Sequence, residues 1–191
     1  MKKHTLHLGL ILAMIITVVS SCGNGGRKFE TSDGIAKLVG DINSEFGKDA
    51  YYTSIGFAFH KSTGTTISAT GTKDPASKKM MEKQQMKGSW KDLSEITLDI
   101  SGDAKPADFM YTMKDVSDFN KVPDMIKMSI DKIKKEKNFD VVVTSVNVSA
   151  PDNLKLQTEK FRYLINLEPE NGGTNFTAIF DQNGNFKDLI F

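Results

Sequence analysis

The chain has 191 residues, with 25 lysines and arginines against 24 aspartates and glutamates. A charge balance this even argues against a general nucleic-acid or anionic-lipid binder, because such proteins need a basic excess. The single cysteine excludes an internal disulfide, so stability must come from a hydrophobic core.

The N-terminus has the order of a secretory signal. Lys2 and Lys3 precede an apolar core from Leu8 to Val19, which is too short to span about 30 Å of hydrocarbon as a helix. The run Val19-Ser20-Ser21-Cys22 then resembles the lipobox of bacterial lipoproteins. The resemblance implies a signal peptide of residues 1–21, cleavage before Cys22 and acylation of Cys22. An ordinary signal peptide with an incidental cysteine is the alternative.

The lipobox resemblance also sets an expected location. Two or three acyl chains would hold the protein on a membrane essentially irreversibly. Residues 22–29 would form a lipidated tether, starting with the flexible run Gly23-Asn24-Gly25-Gly26. Lipoproteins without an aspartate directly after the cysteine resemble outer-membrane residents that face the periplasm. Without the signal, 23 basic and 24 acidic side chains remain, so no nucleic-acid partner is expected.

A helix and four strands are predicted in residues 30–114. One helical face over residues 32–47 carries the apolar residues Ile35, Leu38, Val39, Ile42 and Phe46. Alternating apolar residues predict strands at 51–60, 65–71, 96–100 and 109–113. The polar stretch from Thr72 to Lys91 has no clean period and is interpreted as an insertion.

The same order is predicted in residues 115–191. Pro123 suits the first turn of a helix, Ile126, Ile130 and Ile133 continue one stripe, and Asn138 can end it. Strands are predicted at 141–149, 161–167, 175–180 and 186–191. Two hairpin turns are indicated, at Asn171-Gly172-Gly173 and Asn183-Gly184.

These elements predict an α+β fold of two tandem units, each one helix plus an antiparallel four-stranded meander. An offset of 91 residues aligns Ile35, Val39 and Ile42 with three residues of the second half, Ile126, Ile130 and Ile133. This layout resembles the PepSY-like and β-lactamase-inhibitor-protein-like tandem domains. The resemblance implies binding of a protein or peptide and no catalysis. Whether the two units share one continuous sheet stays open.

Three sets of residues are candidates for catalysis or metal binding. His60 is the only histidine outside the signal and is predicted at a strand end, as an exposed or hydrogen-bonded bystander. The run Asp181-Gln182-Asn183-Gly184-Asn185 starts like a calcium loop but lacks its later glycine and glutamate, so a tight turn is expected. The methionine pairs Met110/Met113 and Met125/Met128 could hold copper(I), although core packing is the favoured interpretation. No cofactor, metal site or catalytic residue is predicted.

The stretch from Thr72 to Lys91 is the candidate partner-binding surface. It interleaves lysines with methionines and the only tryptophan, and the residues singled out are Lys83, Met86, Lys87 and Trp90. A cationic loop with an aromatic side chain could grip a partner or lie on a bilayer. The alternative is a short helix or strand that tucks Trp90 and a methionine into the core.

The sequence therefore favours a non-catalytic, membrane-anchored protein- or peptide-binding module of the cell envelope. A small hydrolase or lyase that uses His60, or a structural component of an envelope assembly, is the alternative.

Overall fold

The computed structural model describes residues 26–116, 119–150 and 159–191. In these residues, two helices accompany a nine-stranded antiparallel sheet. The helices are α1 (Ser32–Phe46) and α2 (Val122–Lys137). The strands are β1 (Tyr51–His60), β2 (Gly64–Thr72), β3 (Lys79–Met86), β4 (Ser89–Thr97), β5 (Tyr111–Thr112), β6 (Val141–Ser149), β7 (Arg162–Pro169), β8 (Phe176–Phe180) and β9 (Phe186–Ile190).

Local sequence accounts for both helices. The Thr31 hydroxyl accepts a hydrogen bond from the Gly34 amide at 3.2 Å and caps the start of α1. The first helix ends at Gly47, whose φ is 94°. The second begins with Pro123 in its first turn and ends at the left-handed Asn138. Each helix buries one apolar stripe, as its spacing predicted.

One sheet contains all nine strands. Its order is β4-β3-β2-β1-β6-β7-β8-β9, and the short β5 pairs with the start of β1. The central contact joins β1 to β6, from Ser54 opposite Ser149 to Ala58 opposite Ser145. Both helices pack on one face, α1 over β2 and α2 over β6 and β7. A row of paired residues on that face crosses the sheet through Trp90, Gln85, Ile67, Phe57, Val146, Ile165, Ala178 and Leu189.

The predicted fold class is therefore wrong. The structure has no two separate helix-plus-meander units, because β1 and β6 pair edge to edge and merge the strands of both halves. Phe57 and Val146 lie opposite each other and belong to one buried cluster with residues of both helices. Alternation tells which face of a strand is buried, but it does not tell which strands become neighbours.

Two of the predicted strands are also wrong. The polar stretch after Thr72 contains β3 and the start of β4, so it is a hairpin within the sheet. Of the predicted strand at 96–100, only the first two residues belong to a strand, as the end of β4. Of the predicted strand at 109–113, only Tyr111–Thr112 does, as β5. The Pro106–Phe109 segment forms a 3-10 turn between them.

Two buried tyrosines meet in the core and differ in one hydrogen bond. The Tyr111 hydroxyl donates to the Val148 carbonyl at 2.8 Å, whereas the buried Tyr52 hydroxyl has no hydrogen-bond partner in the part of the chain that the structure describes. Burial raises the pKa of both phenols. An unpaired buried hydroxyl retains its desolvation cost.

Tyr52→Phe should therefore raise the free energy of unfolding by up to about 1 kcal/mol, because it removes an unsatisfied group. Tyr111→Phe should lower it by about 1 kcal/mol, because it removes a satisfied one. Urea unfolding of the two variants beside the wild type measures both changes. Equal destabilisation by both would show that the Tyr52 hydroxyl has a partner.

Candidate partner-binding surface

The stretch singled out from the sequence is the β3–β4 hairpin at one end of the sheet. Its strands pair from Lys79 opposite Thr97 to Met86 opposite Ser89, with an irregularity after Glu82. The two turn residues, Lys87 and Gly88, have φ values of 51° and 82°. Two positive φ angles are the mark of the tight hairpin turn whose twist matches that of the strands.

Lys83 lies on the helix side of the hairpin and links it to α1. Its ammonium group is 2.6 Å from a Glu45 carboxylate oxygen and 3.1 Å from one of Asp92. The hydrogen bond to Glu45 raises the pKa of Lys83. The same ammonium group lies 5.7 Å from the centre of the Phe46 ring. Lys83 therefore holds the hairpin against α1 while it stays partly exposed.

Trp90 also packs on Phe46. The two rings meet edge to face with centres 5.9 Å apart, and Trp90 is partly buried against the core. Met86 and Lys87 lie away from this contact, exposed at the turn end of the hairpin. The structure thus brings together Lys83 and Trp90, whereas Met86 and Lys87 belong to the hairpin tip.

A cavity of about 330 Å³ opens beside this contact, between the end of α1 and the strands β2 to β4. Its lining mixes charged and apolar groups, among them Glu45, Phe46, Lys73, Lys79, Met81 and Glu95. Lys79 pairs with Glu95 at 2.9 Å across β3 and β4. Glu95 is therefore paired with a lysine. Glu45 and Asp92 are paired as well, both with Lys83.

The outer strand β4 is an edge of the sheet and is almost wholly exposed. Leu93 and Ile96 keep 46% and 37% of their surface accessible. The lysines Lys73, Lys78, Lys87 and Lys91 around the hairpin form no ion pair among the described residues. An edge strand presents unpaired backbone N–H and C=O groups, so β4 combines backbone donors and acceptors with exposed apolar groups and lies beside lysines that form no ion pair in the described part of the chain.

Leu93 and Ile96 belong to this surface but lie beyond Lys91, where the predicted surface ended. Lys87-Gly88 was the available signal, because a glycine between two extended stretches indicates a hairpin. Both faces of the hairpin are largely polar and at least partly exposed, so its two strands lack the apolar alternation that predicts a strand.

The other candidates lie elsewhere in the fold. His60 ends β1 opposite Gly64 and is exposed. Met110 and Met125 are buried, Met113 packs against the core and Met128 is exposed. In residues 26–116, 119–150 and 159–191, no three histidine, cysteine, aspartate or glutamate side chains lie together as a metal-binding group.

The run that begins at Asp181 is the turn between β8 and β9. Asp181 accepts hydrogen bonds from the amides of Asn183 and Asn185 and pairs with Lys187 at 2.9 Å. The carboxylate therefore shapes the turn.

The lipidation site Cys22 lies outside the described residues. None of the described helices has the length and apolar character needed to cross a bilayer. Comparison with protein-family models, curated proteins and solved structures finds no match to the chain.

Proposed function

We propose that the protein is a lipid-anchored, non-catalytic binding protein of the cell envelope that takes an acidic, extended peptide segment as an added strand on β4. The anchor is Cys22 within the lipobox-like run, and the expected site is the periplasmic face of the outer membrane. The observation that carries the proposal is the exposed nine-residue edge strand β4 with its surrounding unpaired lysines.

Strand addition suits this edge because main-chain hydrogen bonds supply affinity and alternate side chains supply selectivity. Leu93 and Ile96 offer apolar contacts beside those hydrogen bonds. The partly buried Trp90 and Lys83 fix the hairpin against α1. The binding edge is therefore held in place before a partner arrives, which lowers the entropic cost of binding.

The lysines around β4 that form no ion pair among the described residues favour an acidic partner. β4 itself carries Lys91 beside Asp92 and Glu95, and further lysines flank it at Lys73, Lys78 and Lys87. These lysines favour a strand that carries glutamate or aspartate. Asp92 and Glu95 already pair with Lys83 and Lys79, whereas Lys78, Lys87 and Lys91 are available to an added strand.

Two synthetic peptides test this proposal, one with alternating glutamate and valine and one with alternating lysine and valine. The protein is the mature chain with Cys22→Ser, and binding is followed by fluorescence anisotropy. We expect the acidic peptide to bind and the basic peptide to bind far more weakly. The double variant Lys78→Glu, Lys91→Glu should lower the affinity for the acidic peptide by about tenfold, since two attractive contacts become repulsive.

The matched control is Lys127→Glu with Lys135→Glu, which makes the same charge change on exposed positions of α2. Hydrogen exchange gives the second readout, because amides of β4 that face solvent should become protected when a strand is added. Equal weakening in the control, or binding without protection of β4, would contradict the proposal.

A further inference from the structure

A second cavity, of about 420 Å³, lies at the tip of the β3–β4 hairpin. Its lining includes Lys28, Lys37, Asp41, Thr63, Thr65 and Lys87. Among the described residues, the ammonium groups of Lys28, Lys37 and Lys87 lie beyond ion-pair distance of any carboxylate. With three lysines and one aspartate, the lining has a formal charge of +2, although the chain as a whole is close to neutral.

The lysines of this cavity come from three separate parts of the chain. Lys28 is fixed by Thr65, whose hydroxyl accepts from the Lys28 amide at 3.1 Å and donates to the Gly26 carbonyl at 2.7 Å. Lys37 projects from α1, and Lys87 occupies the hairpin turn at φ 51°. The positions of the three backbone segments are therefore set by the fold before any ligand arrives.

Thr63 contributes an unpaired hydroxyl to the wall of this cavity, because its oxygen is buried without any hydrogen-bond partner among the described residues. A buried polar atom normally has a partner, because leaving it unpaired costs about 1–3 kcal/mol. The oxygen is covered by protein, so a ligand oxygen would supply the missing hydrogen bond once the cavity wall moves to admit it.

We propose that this cavity binds a phosphate group. A phosphate monoester carries about −1.5 to −2 charges at neutral pH and three acceptor oxygens, which matches the charge of the lining. It can accept from several ammonium groups and from the Thr63 hydroxyl at once. A carboxylate has one charge and two oxygens, so it would leave part of the lining unmatched.

The position of the cavity suggests two sources of that phosphate. Lys28 is six residues from Cys22, and six extended residues span about 20 Å. If Cys22 carries the lipid, as the proposed function holds, the cavity lies within about that distance of the bilayer surface. A lipid headgroup and a soluble phosphorylated molecule then share the chemistry. Phosphate binding itself does not depend on the lipid anchor or on peptide binding at β4.

NMR titration of the mature Cys22→Ser chain with inorganic phosphate tests the site. We expect saturable shifts of the Lys28, Thr63, Thr65 and Gly88 amides. The triple variant Lys28→Ala, Lys37→Ala, Lys87→Ala should bind at least about tenfold more weakly. The control Lys105→Ala, Lys127→Ala, Lys135→Ala removes the same charge from exposed positions elsewhere and should bind like the wild type. Thr63→Val removes the hydroxyl without changing charge and should also weaken binding.

Vesicles of phosphatidylcholine with phosphatidic acid, which exposes a phosphomonoester, separate the two sources. If the vesicles and inorganic phosphate both perturb the cavity amides, and the triple variant abolishes both effects, a lipid headgroup is a ligand. Perturbation by inorganic phosphate alone supports the site with a soluble ligand. No perturbation by either probe, or equal affinities for the triple variant and its control, would overturn the proposal.

Discussion

Gly34→Ala is expected to lower the free energy of unfolding by about 3 kcal/mol, although alanine normally stabilises a helix relative to glycine. A methyl group on Gly34 would overlap the carbonyl oxygen of Lys28 and lie 2.8 Å from the Thr31 hydroxyl. The first obstacle is backbone, which cannot rotate away as a side chain can. The variant must therefore shift the 3-10 turn Lys28–Glu30 or disturb the cap of α1.

Gly40→Ala is the matched control in the same helix. Apart from the backbone of its own helix and its chain neighbours, no atom of the described residues lies within 4 Å of a methyl group built on Gly40, so alanine should raise the free energy of unfolding by about 0.5–1 kcal/mol. Urea unfolding of the two variants measures both effects. If the two substitutions stabilise the protein equally, the Lys28 carbonyl does not approach Gly34 as described.

Both helices could be predicted because their signals are local. The stripe Ile35, Leu38 and Ile42 has helical spacing, and Thr31 and Gly47 act at the two ends within the same short stretch. The strands of the second half carry equally local signals. Val141, Val143 and Val148 are buried on one face of β6, and Asn183-Gly184 forms part of the turn between β8 and β9.

The β3–β4 hairpin could not be recognised from alternation, for a physical reason. Lys83, Gln85 and Trp90 face the helix side, but they lie at the end of the sheet where one face is only partly covered. Charged and polar residues are tolerated there on both faces, so period two disappears. Conversely, Ile96, Leu98 and Ile100 alternate as a strand would, yet β4 ends at Thr97.

The pairing of β1 with β6 depends on residues about 90 positions apart. The alternation around Phe57 and around Val146 predicts that each lies on the buried face of its strand. It does not predict that the two residues pair with each other. The cavity at the hairpin tip has the same character. Nothing in the sequence distinguishes Lys28, Lys37 and Lys87 from the other lysines. Only the fold brings them to the lining of one cavity, together with Thr63.

Asp181→Asn should lower the free energy of unfolding by about 2 kcal/mol at pH 7. Burial alone would raise the pKa of this carboxyl, but hydrogen bonds from Lys187, Asn185 and Asn183 lower it to about 2, against an ordinary value of 3.8. Only 3% of Asp181 is exposed, so these interactions are poorly screened by water. A difference of nearly two pKa units corresponds to about 2 kcal/mol between the charged and neutral forms.

The sign of the pH dependence follows from the lowered pKa. Because the folded protein holds the proton more weakly than the unfolded chain, the stabilisation is present above pH 4 and is lost as the pH falls towards 2. Urea unfolding at pH 7 and at pH 2 should therefore show a large difference between wild type and Asp181→Asn at pH 7 and a small one at pH 2. Asp188→Asn, at an exposed position of β9, is the control and should change stability little at either pH. An undiminished difference at pH 2 would mean that Asp181 stabilises the turn through its shape and not through its charge.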